Sequence, residues 1–265
     1  MKKLSIITVN RNNAKGLRAT YRSIKAQTFA DYEWLVVDGA STDGSKDFLL
    51  EHQAETAWWC SEPDNGIYNA MNKGILHATG EYLLFMNSGD TLFEPTTLEK
   101  VFGTMPDADV VYGDWREIQP MRLPKTCHSP SHVSYHYFAT RPLCHQTAFI
   151  RTSLLKQSPY DEAYRICADW AKWVELSRKG CSFRHVPITV SNYMRNGISY
   201  RAKTQLQEEH RRILYTFYDK DEADVIEALL RKTDRRLRVI RRLAWLASFL
   251  LLALLILLFR MFAKG

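Results

Sequence analysis

Two glycine-rich phosphate-binding sequences are absent from this chain. No G-x-G-x-x-G turn follows the first apolar segment, which argues against an enzyme that transfers hydride with a dinucleotide cofactor. The G-x-x-x-x-G-K-[ST] loop of P-loop nucleotide hydrolases is absent as well. Any nucleotide that this chain binds must therefore be held by other groups.

Cysteine is scarce and irregularly placed. The chain has five cysteines, an odd number, and no C-x-x-C pair. This pattern argues against a disulfide framework or a zinc site and favours a reducing compartment. The apolar segment that follows Lys2 and Lys3 is interrupted at Asn10 and Arg11, so it is too short for a signal peptide and predicts a first strand.

Positive charge is concentrated at one end of the chain. The formal net charge is +7, but residues 231–265 hold nine lysines and arginines against a single acid, Asp234, so the rest of the chain is nearly neutral. A neutral body with a basic tail argues against a nucleic-acid-binding surface. It predicts instead a local electrostatic contact at the tail.

The same tail contains a long apolar run. Leu243–Phe259 is seventeen residues without a charge, preceded by the basic segment Arg235–Arg242 (RRLRVIRR). As a helix this run would span about 26 Å, the short end of a membrane crossing. Ser248 is its one polar side chain, so it lacks the polar face of an interfacial helix. We predict a membrane anchor over residues 243–262, with the arginines on the cytoplasmic side against anionic lipids.

Strands and helices alternate along the first half of the chain. Apolar runs predict the strands, and apolar residues at helical spacing predict the helices between them. This alternation predicts an α/β fold with a mostly parallel sheet and helices on both faces. The predicted strands are Leu4–Val9, Trp34–Val37, Thr56–Ser61, Tyr82–Met86, Asp107–Tyr112, His145–Arg151 and Phe183–Val190. The predicted helices include Ala14–Gln27, Lys46–Gln53, Thr96–Met105, Ala168–Lys179 and a helical region over 203–232. Residues 113–142 predict a hairpin and loop, and Asn192–Arg201 predicts a lid loop.

Polar residues follow several of these strands, at the edge where ligands of an open α/β sheet bind. Four of them are Asn10, Asp38, Asp64 and Asp90. The arrangement suits a nucleotide and a divalent metal ion, because Mg²⁺ and Mn²⁺ bridge carboxylates to phosphates. Lys73 would add positive charge for a diphosphate. Taken alone, the sequence Asn87–Asp90 is also typical of an ordinary turn.

Four segments, in this order, resemble the motifs of family 2 glycosyltransferases. They are Ser5–Asn10 (SIITVN), Val37–Ser45 (VDGASTDGS), Glu62–Gly74 (EPDNGIYNAMNKG) and Asn87–Asp90 (NSGD). The resemblance is strongest to bacterial enzymes that build O-antigen and exopolysaccharide repeat units. It implies a GT-A fold, which is Rossmann-like, and an inverting transfer from a nucleotide-diphosphate sugar, with a UDP-sugar favoured.

The resemblance also implies roles for single residues. Asp90 would bind a divalent metal ion, Mg²⁺ or Mn²⁺, on the diphosphate. The donor-binding set would be Thr8, Asn10, Asp38, Asp64, Lys73 and Ser88, of which the first three would hold the base and ribose. Many relatives have an acidic D-x-D-D cluster where this chain has N-S-G-D, so weaker metal binding is expected here.

The general base of the family lies at the start of a helix beyond the nucleotide-binding half. Cys167–Trp170 (CADW) matches that place, without the first acid of the family's acid-aspartate pair. An aspartate in a first helical turn is often no more than a partner of the helix dipole. The match favours Asp169 as the catalytic base instead. His145-Gln146 matches a family motif near the acceptor pocket, but its role stays open.

These features predict a membrane-anchored glycosyltransferase that extends a polyprenyl-diphosphate-linked saccharide at the cytoplasmic side of a bacterial inner membrane. One alternative is transfer to polyprenyl phosphate itself. Another is an inactive nucleotide-sugar-binding scaffold, against which the presence of both Asp90 and Asp169 argues. The predicted organisation is a nucleotide-sugar-binding half (1–112), an acceptor-binding half (113–202), a basic helical segment (203–242) and the anchor (243–262).

Overall fold

Buried apolar runs form the strands of this protein, and amphipathic segments form its helices. The computed structural model describes residues 2–104, 106–119, 122–194, 197, 202–233 and 236. The strands are β1 (Leu4–Asn10), β2 (Tyr32–Asp38), β3 (Trp58–Ser61), β4 (Tyr82–Phe85), β5 (Thr91–Leu92), β6 (Val110–Ile118), β7 (Lys125–Cys127), β8 (Ala148–Arg151) and β9 (Phe183–Met194). The helices are α1 (Ala14–Lys25), α2 (Ser45–Glu51), α3 (Ile67–His77), α4 (Thr97–Thr104), α5 (Tyr135–Phe138), α6 (Thr152–Gln157), α7 (Ala168–Arg178) and α8 (Lys203–Phe217). Single 3-10 turns cover Gln53–Glu55 and His145–Thr147.

Within these residues, the nine strands form one sheet in the order β3-β2-β1-β4-β8-β6-β9-β5, with β7 paired to β6. The strands β1 to β4 are parallel, and so are β6 and β9, whereas β8 runs antiparallel to β4 and β6. All seven residues of β1 are buried, as expected for a central strand with both faces covered. Its last residue, Asn10, is the register partner of Asp38, and Asp38 is that of Ser61. Three polar residues therefore stand in a row at the carboxyl edge of the sheet.

Helices cover both faces of this sheet, as predicted. On one face, Leu17 and Ile24 of α1 and Phe48 of α2 belong to the apolar cluster that also includes Ile6 of β1. On the other face, α3 packs so closely on β1 that a Cβ at Gly74 would lie 2.6 Å from Cγ2 of Ile7. The edge that holds Asn10 and Asp38 is therefore fixed between two packed layers.

A second glycine contact ties the loop before β4 to β1. A Cβ at Gly80 would lie 2.5 Å from the backbone nitrogen of Ser5, and backbone cannot move aside as a side-chain tip can. Gly80→Ala is expected to lower the free energy of unfolding by about 1–3 kcal/mol, measured by urea denaturation. The matched control is Gly103→Ala, because a Cβ at exposed Gly103 in α4 meets nothing within 4 Å and should leave stability equal or slightly higher. Equal stabilities of the two variants would contradict this packing.

Two strands, β6 and β9, continue at least four residues past the ends that their apolar runs predicted. β6 continues past Tyr112 to Ile118, so the predicted boundary at 112/113 falls inside this strand. β9 includes Asn192–Met194, whose first residue pairs with Thr91 of β5, so the lid-loop prediction is wrong for these three residues. The rest of that predicted loop lies outside the described residues except Gly197.

The chain divides into two compact units, Met1–Ile213 and Leu214–Gly265. In the second unit the described residues are helical up to Phe217 and again over 220–233, and the Tyr215 hydroxyl donates to Glu227 at 3.0 Å. The predicted anchor over 243–262 lies outside the described residues. Among the helices that are described, none is both long enough and apolar enough to cross a membrane.

Candidate active site

At the carboxyl edge of the sheet, the carboxylate of Asp38 joins the end of β1 to the loop after β2 and to the end of β3. This side chain has no exposed surface and accepts hydrogen bonds from Asn10 Nδ2 at 2.7 Å, the backbone N–H of Ser41 at 2.9 Å and Ser61 Oγ at 2.6 Å. Asn10 is 4% exposed, and its amide oxygen has no hydrogen-bond partner among the described residues. Asp38 therefore fixes the orientation of Asn10 and leaves one acceptor atom of Asn10 unused.

The other predicted donor-binding residues lie in different environments. Thr8 is fully buried, and its hydroxyl accepts a hydrogen bond from Trp34 Nε1 at 3.0 Å. Asp64 lies over Gly39, where a Cβ would overlap its Oδ2 atom, so any larger residue at position 39 would displace this carboxylate. Lys73 forms an ion pair with Glu62 at 2.6 Å. Asn10, Asp38 and Asp64 thus lie at the edge, Thr8 lies in the core, and a bound diphosphate would compete with Glu62 for Lys73.

The turn Asn87–Asp90 is anchored to β1 and α1. The N–H of Ser88 donates to the carbonyl of Val9 at 3.1 Å, and Asn13 Nδ2 donates to the carbonyl of Ser88 at 2.8 Å. Gly89 has a φ of 106°, a conformation that disfavours other residues. These contacts fix the position from which the next side chain, that of Asp90, projects.

The carboxylate of Asp90 is buried and hydrogen-bonded at both oxygens. It accepts from Gln146 Nε2 at 3.0 Å through Oδ2 and from the N–H of Met194 at 3.1 Å through Oδ1. Burial raises the pKa of Asp90, and the two hydrogen bonds only partly oppose this effect. A cation beside this carboxylate would relieve the cost of burying its charge.

Asp169 lies in the first turn of α7, and its carboxylate has three polar neighbours. Oδ1 accepts from the N–H of Trp170 at 2.9 Å and lies 2.8 Å from the Tyr68 hydroxyl, whose one proton is shared with the carbonyl of Ile166 at 2.6 Å. Oδ2 lies 3.1 Å from His145 Nδ1. Burial, and then the charge of Asp169, raise the pKa of Tyr68 well above its ordinary value, so this hydroxyl stays a donor. The Asp169 side chain is 16% exposed and thus remains accessible to a substrate.

A buried glutamate positions the start of α7. Glu209 of α8 is 8% exposed and accepts hydrogen bonds of 2.9 Å from the N–H groups of Arg165, Ile166 and Cys167. No side chain caps α7 at Cys167 itself. The loop that leads into Asp169 is therefore held by an acid forty residues later in the chain, a contact that sequence patterns do not predict.

The dipeptide His145-Gln146 joins the two acids predicted to do chemistry. His145 contacts Asp169, and Gln146 donates to Asp90. Asn87 Nδ2 also lies 3.1 Å from His145 Nε2, which links the turn of Asp90 to the same histidine. Asp90 and Asp169 thus belong to one site. Sequence reasoning missed Tyr68 and left the role of His145-Gln146 open.

This arrangement has the parts of a group-transfer site. One carboxylate, Asp169, is partly exposed and ionisable, as a general base requires. A second carboxylate, Asp90, is buried beside a turn whose backbone is fixed. Asn10 and Asp38 form a rigid wall at the edge where nucleotides bind in open α/β sheets.

Known glycosyltransferases are similar to this chain in sequence. The family model described as "Glycosyl transferase family 2" matches residues 5–166 and so ends just before Asp169. The "PGL/p-HBAD biosynthesis glycosyltransferase" of Mycobacterium bovis (strain BCG / Pasteur 1173P2) is 34% identical over 197 residues, which are 71% of this chain and 75% of the relative.

Solved structures share the fold at lower identity. S. aureus TarS 1-349 in complex with UDP has a TM-score of 0.63 at 17% identity, covering 84% of this chain and 69% of that chain. The mannosyltransferase PcManGT from Pyrobaculum calidifontis, in complex with GDP-Man and Mn2+, has a TM-score of 0.61 at 17% identity, covering 81% of this chain and 64% of that one. These similarities confirm the predicted GT-A-like α/β fold. Together with the family match over more than half of its length, they establish that the chain belongs to glycosyl transferase family 2.

Proposed function

We propose that this glycosyltransferase moves a hexose from a UDP-sugar to a polyprenyl-diphosphate-linked saccharide, with inversion, in the synthesis of a surface polysaccharide. The observation that supports this most is the connection of Asp90 and Asp169 through consecutive residues, His145 and Gln146. This connection supports a single site that contains both a candidate base and a candidate diphosphate-binding acid, as an in-line displacement requires.

The hydrogen bonds of Asp169 indicate which oxygen acts as the base. A carboxylate oxygen has about two lone-pair directions. Oδ1 accepts from the N–H of Trp170 and also has the Tyr68 hydroxyl beside it, whose proton it shares with the carbonyl of Ile166. Oδ2 has His145 as its one partner among the described residues. Oδ2 therefore keeps a free direction for the hydroxyl proton of the acceptor. As the acceptor oxygen attacks the anomeric carbon, this proton passes to Oδ2 and the nucleoside diphosphate leaves.

Asp90 fits a divalent metal ion that takes most of its ligands from the substrate. Each of its oxygens accepts one hydrogen bond, which leaves lone pairs for a cation. In the described part of the chain no three His, Cys, Asp or Glu side chains form a group that could hold a metal, so donor phosphates and water would complete the coordination. When bound, Mg²⁺ or Mn²⁺ would neutralise the charge that develops on the leaving diphosphate. Lys73, once released from Glu62, would add a second positive charge.

Two comparisons favour the UDP-sugar. Two TarS structures are complexes, one with UDP and one with UDP-GlcNAc, and the second has a TM-score of 0.64 to this chain at 17% identity. The PcManGT complex has GDP-Man instead, so a guanine nucleotide is the competing donor in the test. Asn10, through its unused amide oxygen, and Asp64 would meet the base and ribose, and the buried Asp38 would hold Asn10 in place. Ser88 would lie beside the phosphates.

The apolar tail supports a lipid-linked acceptor and a membrane location. Leu243–Phe259 follows seven lysines and arginines between Arg231 and Arg242, so we place the catalytic unit at the cytoplasmic face of a bacterial inner membrane, against anionic lipids. Deleting residues from Leu243 onward is expected to move the protein from the membrane pellet to the supernatant after ultracentrifugation. A matched deletion that removes only residues 261–265 should stay in the pellet. A pelleted protein in both cases would refute the anchor.

A donor and acceptor panel tests the proposed reaction. Detergent-purified full-length enzyme is given UDP-glucose, UDP-galactose, UDP-GlcNAc or GDP-mannose with Mg²⁺, and one of three acceptors: a polyprenyl-diphosphate-linked saccharide, polyprenyl phosphate, or the free saccharide. We expect transfer from a UDP-sugar to the first acceptor, with the opposite anomeric configuration shown by NMR of the product. Transfer to polyprenyl phosphate would replace this acceptor assignment with the direct one. Donor binding without any transfer would indicate a scaffold.

A further inference from the structure

His145 is held between a carboxylate and an amide. Its Nδ1 lies 3.1 Å from Asp169 Oδ2, its Nε2 lies 3.1 Å from Asn87 Nδ2, and its side chain is 15% exposed. The ring thus has one nitrogen facing an acceptor and the other facing a donor. A neutral imidazole satisfies both neighbours in only one tautomer.

The carboxylate decides which tautomer this is. An ionised carboxylate can only accept, so the proton of a neutral ring must be on Nδ1, and Nε2 is then left as an acceptor. Asn87 supplies the matching donor through Nδ2, while its own Oδ1 atom is buried with no partner among the described residues. The backbone of Asn87 is fixed as well, since its carbonyl accepts from the N–H of Asp90 at 2.9 Å.

We propose that His145 is the positioning residue of the catalytic base, a neutral Nδ1–H imidazole that orients Asp169 Oδ2, and that Asn87 selects this tautomer. The inference rests on the proposed role of Asp169. His145 acts through Asp169 and exchanges no proton with the substrate: its contact with Oδ2 fixes the rotation of the carboxylate so that the remaining lone pair of Oδ2 faces the acceptor hydroxyl.

The same contact explains why an amide at position 87 suits this enzyme. An acid at position 87 would accept a proton from Nε2 while Asp169 accepts one from Nδ1, which would favour an imidazolium. A positive ring beside Asp169 would stabilise its charged form and make it a weaker proton acceptor. Asn87 presents a donor to Nε2 instead, which leaves the proton of the ring for the contact of Nδ1 with Asp169.

Nitrogen NMR of the full-length protein with ¹⁵N-histidine, in detergent, tests the tautomer without any measurement of activity. His145 signals are identified by their loss in His145→Asn. We expect a protonated Nδ1 and an unprotonated Nε2 at neutral pH. In Asn87→Leu, which cannot donate, the Nε2 signal should shift towards the value of a solvated or exchanging ring. A proton on Nε2 alone, or on both nitrogens, in the wild type would overturn the proposal.

Kinetics test the positioning role. His145→Ala is expected to lower kcat about 10- to 100-fold, with the KM for the donor within about threefold, because misorientation of a base affects the chemical step. His145→Asn should recover most of kcat, since its amide nitrogen stands where Nδ1 stands. In Asp169→Asn, adding His145→Ala should cause little further loss, because the two residues act as one unit.

His185→Ala is the matched control, because His185 also contacts a carboxylate, Asp114, at 2.8 Å and is 14% exposed. It should lower stability as His145→Ala does but leave kcat within about twofold. Equal kcat in wild type and His145→Ala would refute the positioning role. Full activity of Asp169→Asn would instead refute the proposed base. The NMR measurement of the His145 tautomer does not depend on activity, so it would remain valid in that case.

Discussion

Asp169→Asn is expected to lower kcat about 10²–10⁴-fold while the Kd for the donor nucleotide stays within about twofold. Asparagine is the same size and can still accept from Tyr68 and from the N–H of Trp170 at Oδ1. Its amide nitrogen cannot take up a proton at neutral pH, and it would face the Nδ1–H of His145 as a second donor. Single-turnover assays with saturating donor and acceptor, and titration calorimetry with UDP, measure the two quantities.

A control variant at a second aspartate, Asp47, distinguishes a catalytic role of Asp169 from a mere interaction with the helix dipole. Asp47 lies in the first turn of α2 and is exposed, so Asp47→Asn removes the same charge from an equivalent place. If Asp169 were no more than a dipole partner, both variants would lose about 0.3–1 kcal/mol of stability and neither would lose activity. We expect the stability losses to be similar and the loss of transfer to occur in Asp169→Asn alone. Full transfer in both would show that the base lies elsewhere.

The sequence predicts the central strands of this fold well, because their signal is local. β1, β2 and β4 are each built around a largely apolar run, and the structure buries every residue of β1 and β4. The end of β6 has no such run: residues 115–118 are half-buried and include Arg116 and Glu117, yet they pair with β9. Two partners hold this end of β6 as a strand. One is β7, which pairs with residues 115–117 as part of the predicted hairpin. The other is β9, about 75 residues away, and no local pattern could predict that pairing.

The site divides in the same way. Asp90 and Asp169 are visible in the sequence because each ends or begins a recognisable element. Their partners are not, since the Tyr68 contact with Asp169 spans 101 residues and the Gln146 contact with Asp90 spans 56. His145 was predicted to start a strand, but it lies in a 3-10 turn just before β8, and this turn directs His145 and Gln146 to different acids. These contacts depend on the tertiary structure, so the local sequence could not predict them.

Asp90→Ala is expected to lower kcat/KM for the donor about 10²–10³-fold and to remove the metal dependence of donor binding. Asp90 is the one acid in the turn Asn87–Asp90, so no neighbour in this turn replaces it. Calorimetry with UDP, with Mg²⁺ or with a chelator, should show tighter binding with Mg²⁺ in the wild type and equal binding in the variant. The control is Asp114→Asn, which removes a carboxylate of similar burial and should keep the metal effect. UDP binding strengthened by Mg²⁺ in Asp90→Ala would remove the metal assignment from Asp90.

When no metal ion is bound, the negative charge of Asp90 should lower the stability of the folded protein. Because burial raises the pKa of Asp90 above the unfolded value of about 3.9, its contribution to stability is fully present below that value and is lost as pH rises through the folded pKa. The free energy of unfolding of the wild type, minus that of Asp90→Asn, should therefore fall between pH 4 and pH 7.5, measured by urea denaturation with a chelator. At the higher pH the variant should be at least as stable as the wild type. A difference that grows with pH would mean that Gln146 and the N–H of Met194 outweigh the burial of the charge, and Asp90 would then be a structural acid rather than one kept for a cation.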